Sequence, residues 1–193
     1  VAKLNDHYIV CGLGRVGLQV AAELADEGVD FVALDRDEER VKEAIALGYT
    51  SFVGDSTKEE VLQSAGIEKA KGIVASLGDD SSNLFVTLAA RQPNPGIFIV
   101  ARANRDENKQ RPRRAGADRI AMPYQIGGYH MATMMIRPNV VDVLEILSTN
   151  KGTDLQVEEM IISKESKLAG ERLSALSRGK FGVTVLAING NDG

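Results

Sequence analysis

The chain has 193 residues, 44% of them hydrophobic and 26% charged, with a net charge of −4. This is the composition of a globular protein, and the negative balance argues against general nucleic-acid binding, which needs a basic footprint to meet phosphates. The single cysteine excludes an intrachain disulfide and fits a reducing compartment, and no apolar run approaches the ~18 residues of a membrane span.

The opening Val1–His7 is polar and has no signal-peptide core. It lacks an initiator Met, and the C-terminus also looks cut, so the sequence suggests a piece of a longer protein. Tyr8–Cys11 is a short apolar run that stops at a glycine cluster, and Leu18–Ala25 repeats apolar residues at helical spacing. Phe31–Leu34 predicts a second strand, followed by a charged helix from about Glu38 to Leu47. Ser51–Val53 predicts a third strand, and Thr57 to Glu60 has the form of a capping box that opens a helix. Gly72–Ser76, Ile97–Ala101 and Arg119–Met122 predict three more strands, with a helix at Asn83–Arg91 and another at Glu107–Ala115. Pro112 falls inside that last helix, so a kink or a restart at Pro112 is expected.

Strands that are apolar throughout are covered on both faces, and strands separated by helices are joined by right-handed parallel crossovers. The expected fold is therefore α/β, a Rossmann-type doubly wound parallel sheet of about six strands in the order 3-2-1-4-5-6. It spans residues 1–123. Residues 124–150 predict two helices, Ile126–Ile136 and Val140–Leu147, interrupted at Arg137-Pro138-Asn139. Residues 151–193 predict a strand (Leu155–Ser163), a short helix (Leu168–Leu176) and a strand (Val183–Ile188), too little surface for an independent domain.

Gly12-Leu13-Gly14-Arg15-Val16-Gly17 matches the dinucleotide-binding pattern G-x-G-x-x-G, and it lies between a predicted strand and a predicted helix. Gly12 would make the tight turn, Gly14 would let the backbone approach phosphate, and Gly17 would let helix pack on strand. The first helical residues, Arg15, Val16 and Gly17, would turn unpaired N–H groups and the positive end of the helix dipole toward an anion. Asp35 ends the next strand, where a carboxylate can accept hydrogen bonds from ribose hydroxyls and repel a 2′-phosphate. Arg36 beside it weakens that repulsion a little. Asp55, followed by Ser56, could meet an adenine amino group or cap the next helix. Asp79 and Asp80 flank the same crevice. They could hold a divalent cation, or cap a helix at Ser81. Arg15 in the loop and Arg102 after the fifth strand could neutralise phosphate charge with bidentate contacts. An alanine at position 35 is expected to weaken nucleotide binding without unfolding the domain. Cys11 suits a small buried hydrophobe, and Lys109, Arg111, Arg113 and Arg114 suit a solvated helix face. There is no Ser-His-Asp order, zinc spacing or substrate domain.

The segment His7–Gly17 closely resembles the opening of RCK domains, the regulators of K⁺ conductance also called KTN or TrkA-N domains. Gly54-Asp55-Ser56-Thr57, Ala115-Gly116-Ala117-Asp118 and Pro123 with Ile126-Gly127-Gly128 resemble later landmarks of that family. Lys167-Leu168-Ala169-Gly170 resembles the start of its C-terminal subdomain. The resemblance implies a non-enzymatic cytoplasmic module that dimerises through the helix pair after Pro123. It also implies a homo-oligomeric ring, usually of eight lobes, beneath a transmembrane potassium pore. The ligand would be NAD(H), ATP, ADP or AMP rather than NADP. Where calcium-gated members carry carboxylates this sequence has Arg102 and Asn104, and Arg102 matches nucleotide-binding members instead. The opening Lys3–His7 resembles domains attached behind a pore helix. Alternatives are an accessory subunit of a potassium uptake transporter, a fragment of an NAD-dependent oxidoreductase, and an assembly module with a vestigial pocket.

Overall fold

The computed structural model describes residues 4–138, together with residues 162, 163, 166 and 168–170. The chain falls into two compact units, Val1–Arg137 and Pro138–Gly193. The helix expected at 140–147, the strand at 183–188 and most of the segments 155–163 and 168–176 lie outside the described residues.

The first unit is built on six parallel strands: β1 (Tyr8–Cys11), β2 (Phe31–Asp35), β3 (Ser51–Val53), β4 (Gly72–Ala75), β5 (Phe98–Arg102) and β6 (Arg119–Ala121). They stand in the order β3-β2-β1-β4-β5-β6, as expected from the sequence. The switch of direction falls between β1 and β4, where α/β sheets open a crevice at their carboxyl ends. Side chains alternate across the sheet. Ile9 and Cys11 pack into one core with Leu34, Leu62, Ile73, Val86 and Ile99. Val10 packs into a second core with Ala21, Ala33, Val41 and Ala44. With a core on each face there is no polar alternation in the central strands, and all five residues of β2 are buried.

The helices are α1 (Arg15–Asp26), α2 (Glu38–Ala46), α3 (Glu59–Ser64), α4 (Asp80–Arg91), α5 (Gln110–Arg114) and α6 (Pro123–Ile136). α2 is capped by Asp37, which accepts from the Glu39 N–H at 3.0 Å, and its first turn carries Glu38 and Glu39. α6 starts three residues earlier than the apolar spacing suggests, because Pro123 at its first position has no N–H to leave unpaired.

Two local expectations are corrected. Thr57 does not cap α3; the residue before the helix is Lys58, with no side-chain cap. Thr57 instead donates its hydroxyl to Asp55 at 2.7 Å, in a turn before the helix. The segment around Pro112 is not one kinked helix. A 3-10 turn covers Asp106–Asn108, and α5 begins at Gln110, two residues before the proline. Pro112 is thus the third residue of a helix, where an N–H would have no intrahelical acceptor, so the missing donor costs nothing. Its ring is buried and its carbonyl accepts from the Ala117 N–H at 2.9 Å.

Glycines in this unit divide by what a side chain would meet. A Cβ on Gly17 would lie 1.7 Å from the Gly12 carbonyl oxygen, whereas one on Gly28, at φ +67°, would touch nothing. Gly17→Ala is expected to lose about 3 kcal/mol or more, since backbone must move, and Gly28→Ala about 1 kcal/mol of backbone strain. Urea unfolding of the two variants checks the difference; equal losses would mean that helix α1 is not seated on β1 as described.

Candidate functional site

Strand register places the site. Cys11 is level with Leu34 and with Ala75, and Ala75 is level with Ala101. The next residue on each strand therefore falls in one row along the carboxyl edge: Asp35, Gly12, Ser76 and Arg102. Three of these four were candidates from the sequence, and the structure brings them together.

At the centre of the row the chain turns from β1 into α1. Gly12 takes φ +94°, a left-handed conformation that suits glycine. The buried Ser76 hydroxyl lies 2.9 Å from the Cys11 carbonyl oxygen and 3.0 Å from that of Gly12, and so holds the turn to β4. α1 opens at Gly14 with no side-chain cap, leaving the first-turn N–H groups of Arg15, Val16 and Gly17 for an anion. A Cβ on Gly14 would meet only the Arg40 guanidinium, at 3.8 Å, so the approach to the loop backbone is otherwise open. The loop geometry fits a phosphate. Arg15 is exposed on the loop's rim.

Asp35 is 8% exposed. Its Oδ2 accepts from the Leu13 N–H at 2.6 Å and its Oδ1 from the Asp37 N–H at 2.9 Å. The carboxylate at the end of β2 is thus bonded directly to the glycine loop. Arg40 completes the arrangement, with Nη1 3.4 Å from Asp35 Oδ2 and Nε 3.5 Å from Asp37 Oδ2. Sequence reasoning missed Arg40. The available signal was its spacing of three from Asp37, which puts both on one side of the first turn of α2.

On the far side of β2, Asp55 accepts from the Thr57 N–H at 3.1 Å and from its hydroxyl at 2.7 Å, both through Oδ1. The Thr57 hydroxyl holds the Asp55 carboxyl below its ordinary value, with a smaller contribution from Arg36. Asp79 caps α4 by accepting from the Ser82 N–H at 2.8 Å, and the Ser82 contacts hold its carboxyl down, again with help from Arg36. Ser56, grouped with the crevice from the sequence, is buried beside the Cys11 thiol, whose pKa burial pushes up to about 12.

Arg102 donates through Nε and Nη2 to Asn104 Oδ1 at 3.0 and 2.7 Å, and its guanidinium lies 5.4 Å from the centre of the Tyr124 ring. Asp80 accepts from the Asn104 N–H and from Asn108 Nδ2, each at 2.7 Å. The wholly buried Asn83, also missed, ties this corner together. It accepts from the Leu77 N–H and donates to the Leu77 and Arg102 carbonyls. Among the described residues no group of three or more His, Cys, Asp or Glu side chains is placed to hold a metal.

The six-stranded parallel sheet and its glycine turn define a Rossmann-type domain. The chain belongs to the TrkA-N domain family, whose model matches residues 8–123, in agreement with the resemblance seen in the sequence. It is 37% identical over 195 residues to potassium channel protein 1 of Methanocaldococcus jannaschii, covering 100% of this chain and 58% of that protein. It is 31% identical over 185 residues to Ktr system potassium uptake protein A of Vibrio alginolyticus, covering 94% of this chain and 80% of that protein. Among solved structures, GsuK bound to ADP aligns with a TM-score of 0.60 at 36% identity, covering 69% of this chain and 35% of that one. The chain spans less than three-fifths of the length of the two M. jannaschii channel proteins it matches.

The two backbone hydrogen bonds at Asp35 add a stability cost to the expected loss of nucleotide binding on substitution by alanine. Asp35→Ala orphans two N–H groups and is expected to lose about 3 kcal/mol, whereas Arg40→Ala, at a half-exposed ion pair, loses about 1 kcal/mol or less. Comparative denaturant unfolding decides; a silent Asp35→Ala would mean that the loop does not hang on this carboxylate. Asp79 gives a pH test. Its pKa is lowered in the folded state, so its contribution is complete above the unfolded value of about 3.9 and is lost as pH falls through the folded value. Asp79→Ala should cost about 1 kcal/mol at pH 7, and this difference should shrink toward pH 2.

Proposed function

We propose that this chain is a regulatory module that binds an adenine nucleotide and couples it to potassium movement through a membrane pore. It would act on the cytoplasmic side and carry out no chemistry of its own. The observation that carries the reading is the row of Gly12, Asp35 and Arg102 along the carboxyl edge, with Asp35 bonded to the loop at 2.6 Å. Phosphates would lie on the loop N–H groups of Gly14, Arg15, Val16 and Gly17. Arg15 and Arg102 would supply counter-charge, and Asp35 would meet the ribose. Asp55 still has Oδ2 to offer an adenine amino group, with Arg36 alongside. NAD(H), ATP, ADP and AMP all suit this arrangement, while the Asp35 carboxylate opposes the 2′-phosphate of NADP. ADP is the first ligand to test, because a relative 36% identical has been solved bound to it. A bound divalent cation is left unassigned.

Potassium enters through the relatives, which are potassium channel and potassium uptake proteins. The family resemblance of the opening residues favours a channel. The second reading, a subunit of an uptake system, is supported by the 80% of the Vibrio protein that the chain covers. Homo-oligomers, including a ring, are supported by apolar surface. α6 has no buried residue and exposes Ile126, Tyr129, Met131, Met135 and Ile136, although a helix this rich in apolar residues is normally covered. Phe85 and Leu88 on α4 line a further concavity of about 420 Å³ that touches none of the loop glycines. Gating would require the nucleotide to bind one assembly state better than another. An oxidoreductase fragment would instead oxidise bound NADH when given a hydride acceptor.

The test is thermal unfolding with NAD⁺, NADH, NADPH, ATP, ADP and AMP. At 100 times Kd an adenine nucleotide is expected to add about 2.7 kcal/mol, raising Tm by about 10 °C, with no rise from NADPH. A folded protein that ignores every nucleotide would remove this site from consideration.

A further inference from the structure

Arg102 has two sets of partners, and they lead in different directions. Its backbone lies in the row that faces the crevice, two strand spacings from Gly12, or about 9.5 Å. Its side chain is held by Asn104 Oδ1 and by the face of Tyr124, with Nη2 also 3.4 Å from the Tyr124 hydroxyl. Tyr124 is the second residue of α6, the helix that buries nothing in this unit. Asn104 is held in turn by Asp80 at the start of α4 and by the Gly78 carbonyl. The guanidinium is thus parked on one neutral amide oxygen and one aromatic face.

We infer that Arg102 and Tyr124 form a latch through which α6 senses the contents of the crevice. The inference rests on the nucleotide reading above and deepens it. A guanidinium hydrogen-bonded to a neutral amide exchanges readily for one bonded to a phosphate, because the phosphate adds Coulombic attraction and a bidentate pair of acceptors that the single amide oxygen lacks. A phosphate on the loop draws Arg102 toward the crevice. The cation then leaves the Tyr124 ring, and the first turn of α6 loses its tie to the end of β5. Binding and release are reciprocal: whatever the ligand does to the latch, the latch does to ligand affinity. Tyr124 is here a positioning residue. It touches no ligand and acts by holding Arg102 in the ligand-free arrangement.

This gives a sign that a structural role would not. Removing the ring removes a contact that the ligand has to break, so Tyr124→Leu is expected to tighten ADP binding about two- to five-fold, the factor carried by an exposed cation–π contact. A residue that merely supported the site would weaken binding when removed. The chain contains no tryptophan, so Tyr124→Trp supplies a unique fluorophore at the latch while keeping an aromatic face for Arg102. ADP titrated into this variant of the full chain should shift the indole emission, with calorimetry recording the same binding curve. In the background Arg102→Gln, calorimetry should still record ADP binding, weakened, with the emission unmoved. Hydrogen exchange of residues 123–136 in the unsubstituted chain gives an independent reading and should quicken several-fold when ADP is added. ADP that binds with emission and exchange unchanged overturns the latch and leaves the nucleotide site standing. Weakened binding in Tyr124→Leu, or an emission shift that survives Arg102→Gln, also overturns it. No ADP binding by calorimetry overturns the site itself, and the latch with it.

Discussion

A single hydrogen bond, from the Leu13 N–H to the Asp35 carboxylate at 2.6 Å, sets the geometry on which the rest of the crevice depends. It joins the end of β2 to the turn between β1 and α1. The turn has little freedom left once that bond is made. Gly12 is fixed in a left-handed conformation, the Ser76 hydroxyl holds its carbonyl region to β4, and Gly17 lies so close to the Gly12 carbonyl that no side chain fits between. A hydrogen bond to a charged group contributes about 1.5–3 kcal/mol, and here the acceptor is also the group proposed to meet a ribose. Structure and recognition share one carboxylate, so the pocket's shape and its chemistry cannot be varied independently at position 35.

Much of this was legible in the sequence because it is local. A glycine-rich turn between an apolar strand and an amphipathic helix is specified within about twenty residues, and the acidic end of β2 follows at the required spacing. The parallel order followed from strands that are apolar throughout, and the two cores show why. Ile9 and Val10 are neighbours in sequence yet belong to opposite faces, both covered. What escaped the sequence depends on which segments become neighbours. Asn83 matters because it joins Leu77 to Arg102, a residue nineteen positions beyond Asn83 itself. Arg40 matters because α2 returns it to the loop at Gly14. The capping box failed for the same kind of reason: a competing acceptor, Asp55, stood two residues before Thr57 and took its hydroxyl. Pro112 looked like a helix breaker only because the helix was assumed to start before Gln110.

The proposed nucleotide is anionic and the chain is acidic, and the crevice offers a way to reconcile the two. The net charge of −4 is a property of the whole surface, whereas binding depends on the few groups at the strand ends. There the carboxylates are already engaged. Asp35 is held by two N–H groups and Arg40, Asp55 by Thr57, Asp79 by Ser82, and Asp80 by Asn104 and Asn108. Arg15 stands on the rim, and Arg36 contributes a small share to the lowering of the Asp55 and Asp79 carboxyls. Committed carboxylates repel a phosphate less than free ones would, since their charge is already met by donors and by nearby cations.

Regulation asks for something different from tight binding. A ligand shifts an equilibrium only by the difference in its affinity for two states, so the protein needs contacts that are present in one state, absent in the other and weak enough to exchange. The rigid parts of this unit offer none. β1 and β2 are sealed between two cores, and the loop is tied at Gly12, Leu13 and Gly17. The exchangeable contacts collect at the other end of the row, where Arg102 rests on an amide and an aromatic ring beside a helix that buries nothing. A stiff cradle next to a loosely held cation is a sound division of labour. On the proposed reading, the cradle would fix where a phosphate lies, and the free energy of meeting that charge would be directed into moving one side chain rather than into deforming the fold.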